Sequence, residues 1–186
     1  MGVTLRKITE DDLEKIMFWR MDEEITRYMN TNPKLTLEKQ RTWFASIQAD
    51  PSVIYRMIQV DGQPAGVINI TGLDDPDGNL GWAYYMGERK LRSIQRALSL
   101  EMSMYDYAFE VLKKKAVYSD VFSLNTGVIQ LHKICGCEVV EEKKNHVCKE
   151  GIWYDVTFMR MTCDNWMKIR AAKKYEKISW EVCGLK

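Results

Sequence analysis

Apolar and polar residues alternate from Val3 to Ile8 with the two-residue period of a half-buried strand. Thr9 then precedes Glu10, Asp11 and Asp12, as an N-cap precedes the acidic first turn of a helix. Leu13, Ile16 and Met17 keep helical spacing through Trp19-Arg20, Asn32-Pro33 breaks the next segment, and Trp43, Phe44 and Ile47 form the buried stripe of a helix from Thr36 to Gln48. At Val53 the period changes. Val53 to Val60 and Ala65 to Thr71 are predicted strands joined at the turn signal Asp61-Gly62, and Asp77-Gly78 leads into a third, Asn79 to Met86, making an antiparallel meander. Ile94, Leu98, Met102, Tyr105, Phe109 and Leu112 mark the longest helix, closed by Lys113 to Lys115 at its negative end. Ala116 to Leu124 follows as a strand and Thr126 to Ile134 as a short helix stopped at Gly136. Val139-Val140 and Ile152 to Met161 make a closing hairpin around Lys149-Glu150-Gly151. The order is β-α-α-β-β-β-α-β-α-β-β, an α/β (α+β) chain without repeats.

Composition narrows the picture. With 186 residues, 46% of them hydrophobic and 28% charged, the chain can bury one core but hardly two. A net charge of +1 gives no field that steers it toward nucleic acid or an anionic membrane, so any anionic ligand must be held by local groups. No window approaches the roughly 18 apolar residues of a membrane span, and Met1 to Glu10 lacks the apolar stretch of a signal peptide, so a cytoplasmic protein is expected. The five cysteines, Cys135, Cys137, Cys148, Cys163 and Cys183, are odd in number and suit free thiols in a reducing compartment. With His132 and His146 some of them suggest zinc, but Cys135-Gly136-Cys137 lacks knuckle spacing, and no metal is expected. The domain should span residues 1–165. Residues 166–186 should extend it as a basic amphipathic helix, solvated or packing a homodimer, with Lys168, Arg170, Lys173, Lys174 and Lys177 around Trp166, Ile169 and Ile178.

Two local patterns carry chemistry. The segment Arg92-Ser93-Ile94-Gln95-Arg96-Ala97 opens the long helix that ends in Tyr107-Ala108-Phe109-Glu110, and Asn125 at the end of a strand is followed seven residues later, two helical turns, by His132. Together with the order of elements, these resemble the GCN5-related N-acetyltransferase (GNAT) superfamily. The resemblance implies a mixed central sheet of six to seven strands flanked by helices on both faces. It also implies acetyl-CoA as co-substrate, with no metal. The family's loop, Q/R-x-x-G-x-G/A, holds the coenzyme A pyrophosphate on backbone N–H groups at a helix N-terminus. Arg92 and Ala97 match that loop, while Gln95 stands where glycine is usual, and a side chain there must avoid positive φ. Arg89, Lys90, Arg92 and Arg96 would add positive charge. Taken alone, the segment also reads, as the lesser alternative, as a solvated basic helix start.

In the family the pantetheine arm pairs with the exposed edge of the fourth strand where it splays from the fifth. This implies cofactor contacts from Tyr84, Tyr85, Met86, Arg92, Ser93, Ile94, Gln95, Arg96, Ala97 and Asn125. His132 takes the place of the proton donor to the leaving thiolate. A histidine can serve there because its reference pKa of about 6.5 lets it cycle near neutrality, although a lone histidine beside Leu131 is also an ordinary packing residue. Asp120 is the favoured general base, with Asp155 and Glu88 as other carboxylates in reach.

A narrower resemblance runs through Trp19-Arg20, Ile25-Thr26-Arg27-Tyr28-Met29, Trp43-Phe44, Leu131-His132-Lys133 and Trp153-Tyr154-Asp155-Val156. These pieces are similar to the acetyltransferases of pseudaminic acid biosynthesis, which act on the 4-amino group of a UDP-linked 4-amino-4,6-dideoxy-N-acetyl-altrosamine. The resemblance implies a UDP-amino sugar as the small-molecule partner, held by Arg20, Arg27, Tyr28 and Asp155, with Trp19 and Trp43 as stacking surfaces. A protein N-terminal or polyamine acetyltransferase is the alternative within the family and would want an acidic groove. Outside the enzymes, Gln95 motivates a coenzyme A-binding regulator without catalysis.

Overall fold

The computed structural model describes residues 2–180. Strand β1 (Val3–Arg6) leads through a tight turn at Glu10–Asp12 into α1 (Leu13–Met21). Charge fixes this corner as well as pattern. The Arg6 guanidinium donates to both carboxylate oxygens of Asp12 at 2.7 Å, and the Thr9 N–H donates to the same carboxylate at 2.8 Å. Helix α2 (Glu23–Thr26) is a single turn capped by Asp22, and α3 (Leu37–Ala49) is capped by Thr36. The meander follows as β2 (Val53–Val60), β3 (Gln63–Thr71) and β4 (Asn79–Met86), each antiparallel to the next. Asp61 and Gly62 both take positive φ, 51° and 79°, as a two-residue turn between twisted strands requires.

Helix α4 (Ile94–Asp106) widens into a π-turn over Tyr107–Val111 and is followed by β5 (Ala116–Phe122) and α5 (Thr126–Ile134). The closing hairpin is β6 (Glu138–Lys149) and β7 (Ile152–Thr162), with β6 far longer than Val139-Val140. Then come α6 (Cys163–Ala172) and β8 (Ser179–Trp180).

One mixed sheet of eight strands results, in the order β6-β7-β5-β4-β3-β2-β1-β8. The strand beyond the expected six to seven is β8, which lies parallel to β1 at the far edge. Helices flank both faces. Leu13, Ile16, Trp19 and Phe44 of α1 and α3 pack on Met57 and Val67, while Leu100, Met104, Tyr105 and Ile129 of α4 and α5 pack on Ile58, Ile68, Leu80 and Trp82 of the opposite face.

Strands β4 and β5 are parallel and pair only from Asn79–Gly81 with Ala116–Tyr118. Beyond Gly81 they part, so the backbone of Trp82–Met86 keeps an unpaired side within the sheet. Residues that alternate along each strand therefore reach this gap from opposite faces. Trp82 and Tyr84 belong to the α4 side and Tyr85 to the α1 side.

The C-terminal segment is not one helix. Helix α6 ends at Ala172, and the chain returns to add β8. Buried hydrogen bonds explain the departure. The Trp166 Nε1–H and Tyr175 hydroxyl donate to the two oxygens of Asp106 at 3.0 and 2.7 Å, and the Ile178 N–H donates to Ser103 Oγ at 2.9 Å. Trp166 and Ile178 lie in the main core rather than on a solvated or dimer-packing face. The part of the expected helix from 181 to 186, with Cys183, lies outside the described residues. Among the described residues the cysteines are free thiols, and no helix is long and apolar enough to cross a membrane.

Candidate active site

A cavity of about 870 Å³ occupies the gap between β4 and β5 and is lined from both faces of the sheet. Its two halves differ in chemistry.

The half on the α4 side is lined by Tyr84, Met86, Arg92, Ser93, Arg96, Ala97, Asn125 and His132. Ser93 caps α4, its hydroxyl accepting from the Arg96 N–H, and the helix directs its positive end at the cavity. Arg92 donates to the Met86 carbonyl through Nε at 3.1 Å and Nη2 at 2.7 Å, which ties the end of β4 to the start of α4. Gln95 sits inside the first turn of α4 and is not among the residues with positive φ, so the missing glycine strains nothing. Its side chain and that of Ile94 are exposed and do not line the cavity. Of the other cations expected here, Arg89 is engaged elsewhere, in ion pairs with Asp22 and Glu24.

His132 is buried at 4% exposure, and its Nδ1 lies 2.7 Å from Glu101 Oε1. Glu101 is fully buried in α4 and also accepts from the Tyr105 hydroxyl at 2.8 Å, which in turn lies 2.9 Å from Cys137 Sγ. Sequence reasoning missed Glu101. The signal was present: it stands three residues after Leu98 and four before Tyr105, on the apolar stripe, where a charged residue needs a partner. Glu101, His132 and Cys137 bring ligand-type atoms within 4.8 Å of one another, but hydrogen bonding through Tyr105 and His132 accounts for that closeness. Burial, and next the Glu101 carboxylate, push the Cys137 thiol up to about 12.

The half on the α1 side is lined by Arg20, Tyr28, Met29, Trp43, Tyr55, Asn69 and Tyr85. Burial pushes the Tyr55 and Tyr85 phenols up, and Arg20 beside them pulls the other way. Both remain neutral hydroxyls able to donate. Arg20 donates to Met29 Sδ and to Thr31 Oγ1 at 3.3 Å, with no carboxylate partner among the described residues. Asp120 alternates on β5 with the core residues Val117 and Val121, so it reaches the cavity from this side, and among the described residues its side chain makes no ion pair or hydrogen bond.

Three expected acceptor contacts fall away. The Asp155 carboxylate accepts from Lys144 Nζ and the Asn145 N–H, both at 2.8 Å, where β6 bulges against β7, and it does not line the cavity. Arg27 lies over the Tyr28 ring, 5.2 Å from its centroid, and is likewise outside the lining. Trp19 is buried against Tyr85 and offers no stacking surface, whereas Trp43 does line the cavity.

The splayed parallel strands, the capped helix at their mouth and the Asn125/His132 pair together describe a known architecture. The family model for the acetyltransferase (GNAT) domain matches residues 3–138. The chain belongs to this family. As a GNAT chain it is an acyl-transferring enzyme that uses acetyl-CoA. Its residues fit that donor, because the start of α4 with Arg92 and Arg96 can take a pyrophosphate and the unpaired side of β4 can take an amide-bearing arm.

No curated protein matches by sequence. Among solved structures, spermidine N-acetyltransferase from Vibrio cholerae in complex with CoA and spermine superposes with a TM-score of 0.82 at 16% identity, over 89% of this chain and 98% of that one. An aminoglycoside acetyltransferase in complex with coenzyme A gives 0.73 at 19% identity, over 91% and 99%. At these identities the likeness is one of fold.

Proposed function

We propose that this GNAT enzyme transfers the acetyl group of acetyl-CoA to the primary amine of a nucleotide-linked amino sugar, with the 4-amino group of a UDP-linked amino-dideoxy sugar as the acceptor. One observation carries this reading. Arg20 stands without a carboxylate partner in a half-cavity walled by Tyr28, Trp43, Tyr55 and Tyr85. A guanidinium with donors to spare suits a phosphate, and aromatic walls suit a sugar or base.

A polyamine is the second reading, favoured by the fold likeness to an enzyme bound to spermine. The charges lining the cavity speak against it. Of the two carboxylates there, Glu24 is paired with Arg89, which leaves Asp120 alone to meet a polycation.

The two proton-handling groups divide the work. An acceptor arrives as an ammonium and must lose one proton before it can attack, and Asp120 takes that proton, directly or through water. His132 protonates the departing thiolate from the other face. An acetyl-transfer screen over UDP-amino sugars, polyamines and peptides, read by mass, tests the assignment. Acetylation of a UDP-amino sugar above all others is expected. Polyamine acetylation alone would replace this reading with the second, and coenzyme A binding without any transfer would make the protein a regulator.

A further inference from the structure

The cavity is offered only one edge of His132. Its Nδ1 is held by Glu101, the ring lies against Trp82 with centroids 5.8 Å apart, and Nε2, which makes no hydrogen bond among the described residues, is the edge left to the cavity that the residue lines. Glu101 Oε1 already accepts from the Tyr105 hydroxyl, and with the same oxygen accepting from the imidazole the shared proton sits on Nδ1 and the ring presents its lone pair at Nε2. The neighbours do not compete for that role. Burial, together with the Glu101 carboxylate, pushes the Tyr105 phenol and the Cys135 and Cys137 thiols up, so all three stay neutral. No lysine or arginine pairs with Glu101 among the described residues, and its Oε2 is buried without a partner. Such a carboxylate is costly to hold and gains a counter-charge whenever the imidazolium forms beside it.

We infer that Glu101 is a positioning residue that fixes His132 as the Nδ1–H tautomer, so that Nε2 shuttles a proton from the attacking amine nitrogen to the departing sulfur. The inference rests on amine acetylation and goes beyond the thiolate-acid role, which leaves open where the donated proton comes from. As the amine nitrogen attacks the thioester carbonyl, the C–N bond forms and the nitrogen becomes positive. Its surplus proton passes to Nε2. The C–S bond then breaks, the electron pair leaves on sulfur, and Nε2 returns the proton there. At that moment nitrogen and sulfur are bonded to the same carbon, so one ring nitrogen serves both. His132 ends neutral, as it began, and the earlier ammonium proton has left by Asp120.

The chain has two histidines, so nitrogen-15 labelling gives two ring systems, and His146→Gln assigns them. Two-bond proton–nitrogen correlation on the otherwise unaltered protein should show neutral His132 protonated at Nδ1 and bare at Nε2. A ring protonated at Nε2 overturns the inference. This readout needs no acceptor, so it stands apart from the amino-sugar assignment. In turnover with the best amine of the transfer screen, Glu101→Gln should lower kcat at least about tenfold and leave the acetyl-CoA KM within about twofold. Unchanged kcat would overturn the shuttle. So would one equivalent of zinc in the purified protein, since Glu101, His132 and Cys137 would then be metal ligands.

Discussion

Asp120 and His132 approach the gap between β4 and β5 from opposite faces of the sheet, and this separation gives them separable phenotypes. His132→Phe should retain acetyl-CoA affinity within about twofold by calorimetry while kcat falls by about 10²- to 10⁴-fold; unchanged turnover would remove His132 from the mechanism. Asp120→Asn should lose most at low pH and recover as pH rises, because a free amine no longer needs the carboxylate, and a pH–rate series on both proteins checks this. Arg20→Ala should raise the acceptor KM about tenfold, worth about 1.4 kcal/mol, and leave that of acetyl-CoA nearly unchanged. Equal effects on both would defeat the assigned pocket. How far these residues were legible depended on distance along the chain. Asn125 and His132 lie on one local pattern, whereas Glu101 meets His132 across 31 positions and only the fold joins them. Asp155 was misplaced for a related reason, since the register shift between Lys143 and Val147 decides what its side chain meets, and no pattern encodes that shift.

At the scale of elements, β4 is the piece on which the donor half depends, and its end is held by a close approach that a side chain would forbid. A Cβ on Gly66 would stand 2.1 Å from the Tyr85 carbonyl oxygen and 2.9 Å from the Met86 Cα, both backbone atoms that cannot rotate away. Gly66→Ala should therefore cost about 1–3 kcal/mol in denaturant unfolding, the usual range for overpacking. It should also raise the acetyl-CoA KM by shifting Tyr85 and Met86. A destabilised variant with unchanged KM would show that the end of β4 does not contact the donor. The meander was legible because its strands are short runs rich in β-branched and aromatic residues, set off by Asp-Gly turn signals. The parting of β4 from β5 was not, since it is a property of pairing between distant segments, and the family resemblance alone suggested it. Strand β6 was mostly missed because it is an edge strand exposed along most of its length, with no apolar face to set a period.

For the whole molecule, the question is whether the fold closes without the chain beyond residue 165. Trp166 packs on Phe109 with ring centroids 5.3 Å apart and donates to Asp106, which sits at 7% exposure on α4. The same carboxylate takes the Tyr175 hydroxyl, and Ile178 reaches the core beside it. Because α4 also carries Glu101, the segment that braces Asp106 braces the helix behind His132. Trp166→Ala should cost about 3–5 kcal/mol, the range for deleting a large buried aromatic. Trp166→Phe keeps the ring contact and loses the N–H, so it should cost about 1–3 kcal/mol for the carboxylate left short of a donor. A chain ending at residue 165 loses the indole, the Tyr175 hydrogen bond and Ile178 together, and should show no cooperative thermal transition. If that shortened chain instead melts cooperatively near the full protein and still binds acetyl-CoA, the residues after 165 are a dispensable extension, and the bracing of α4 must come from its contacts with the sheet alone.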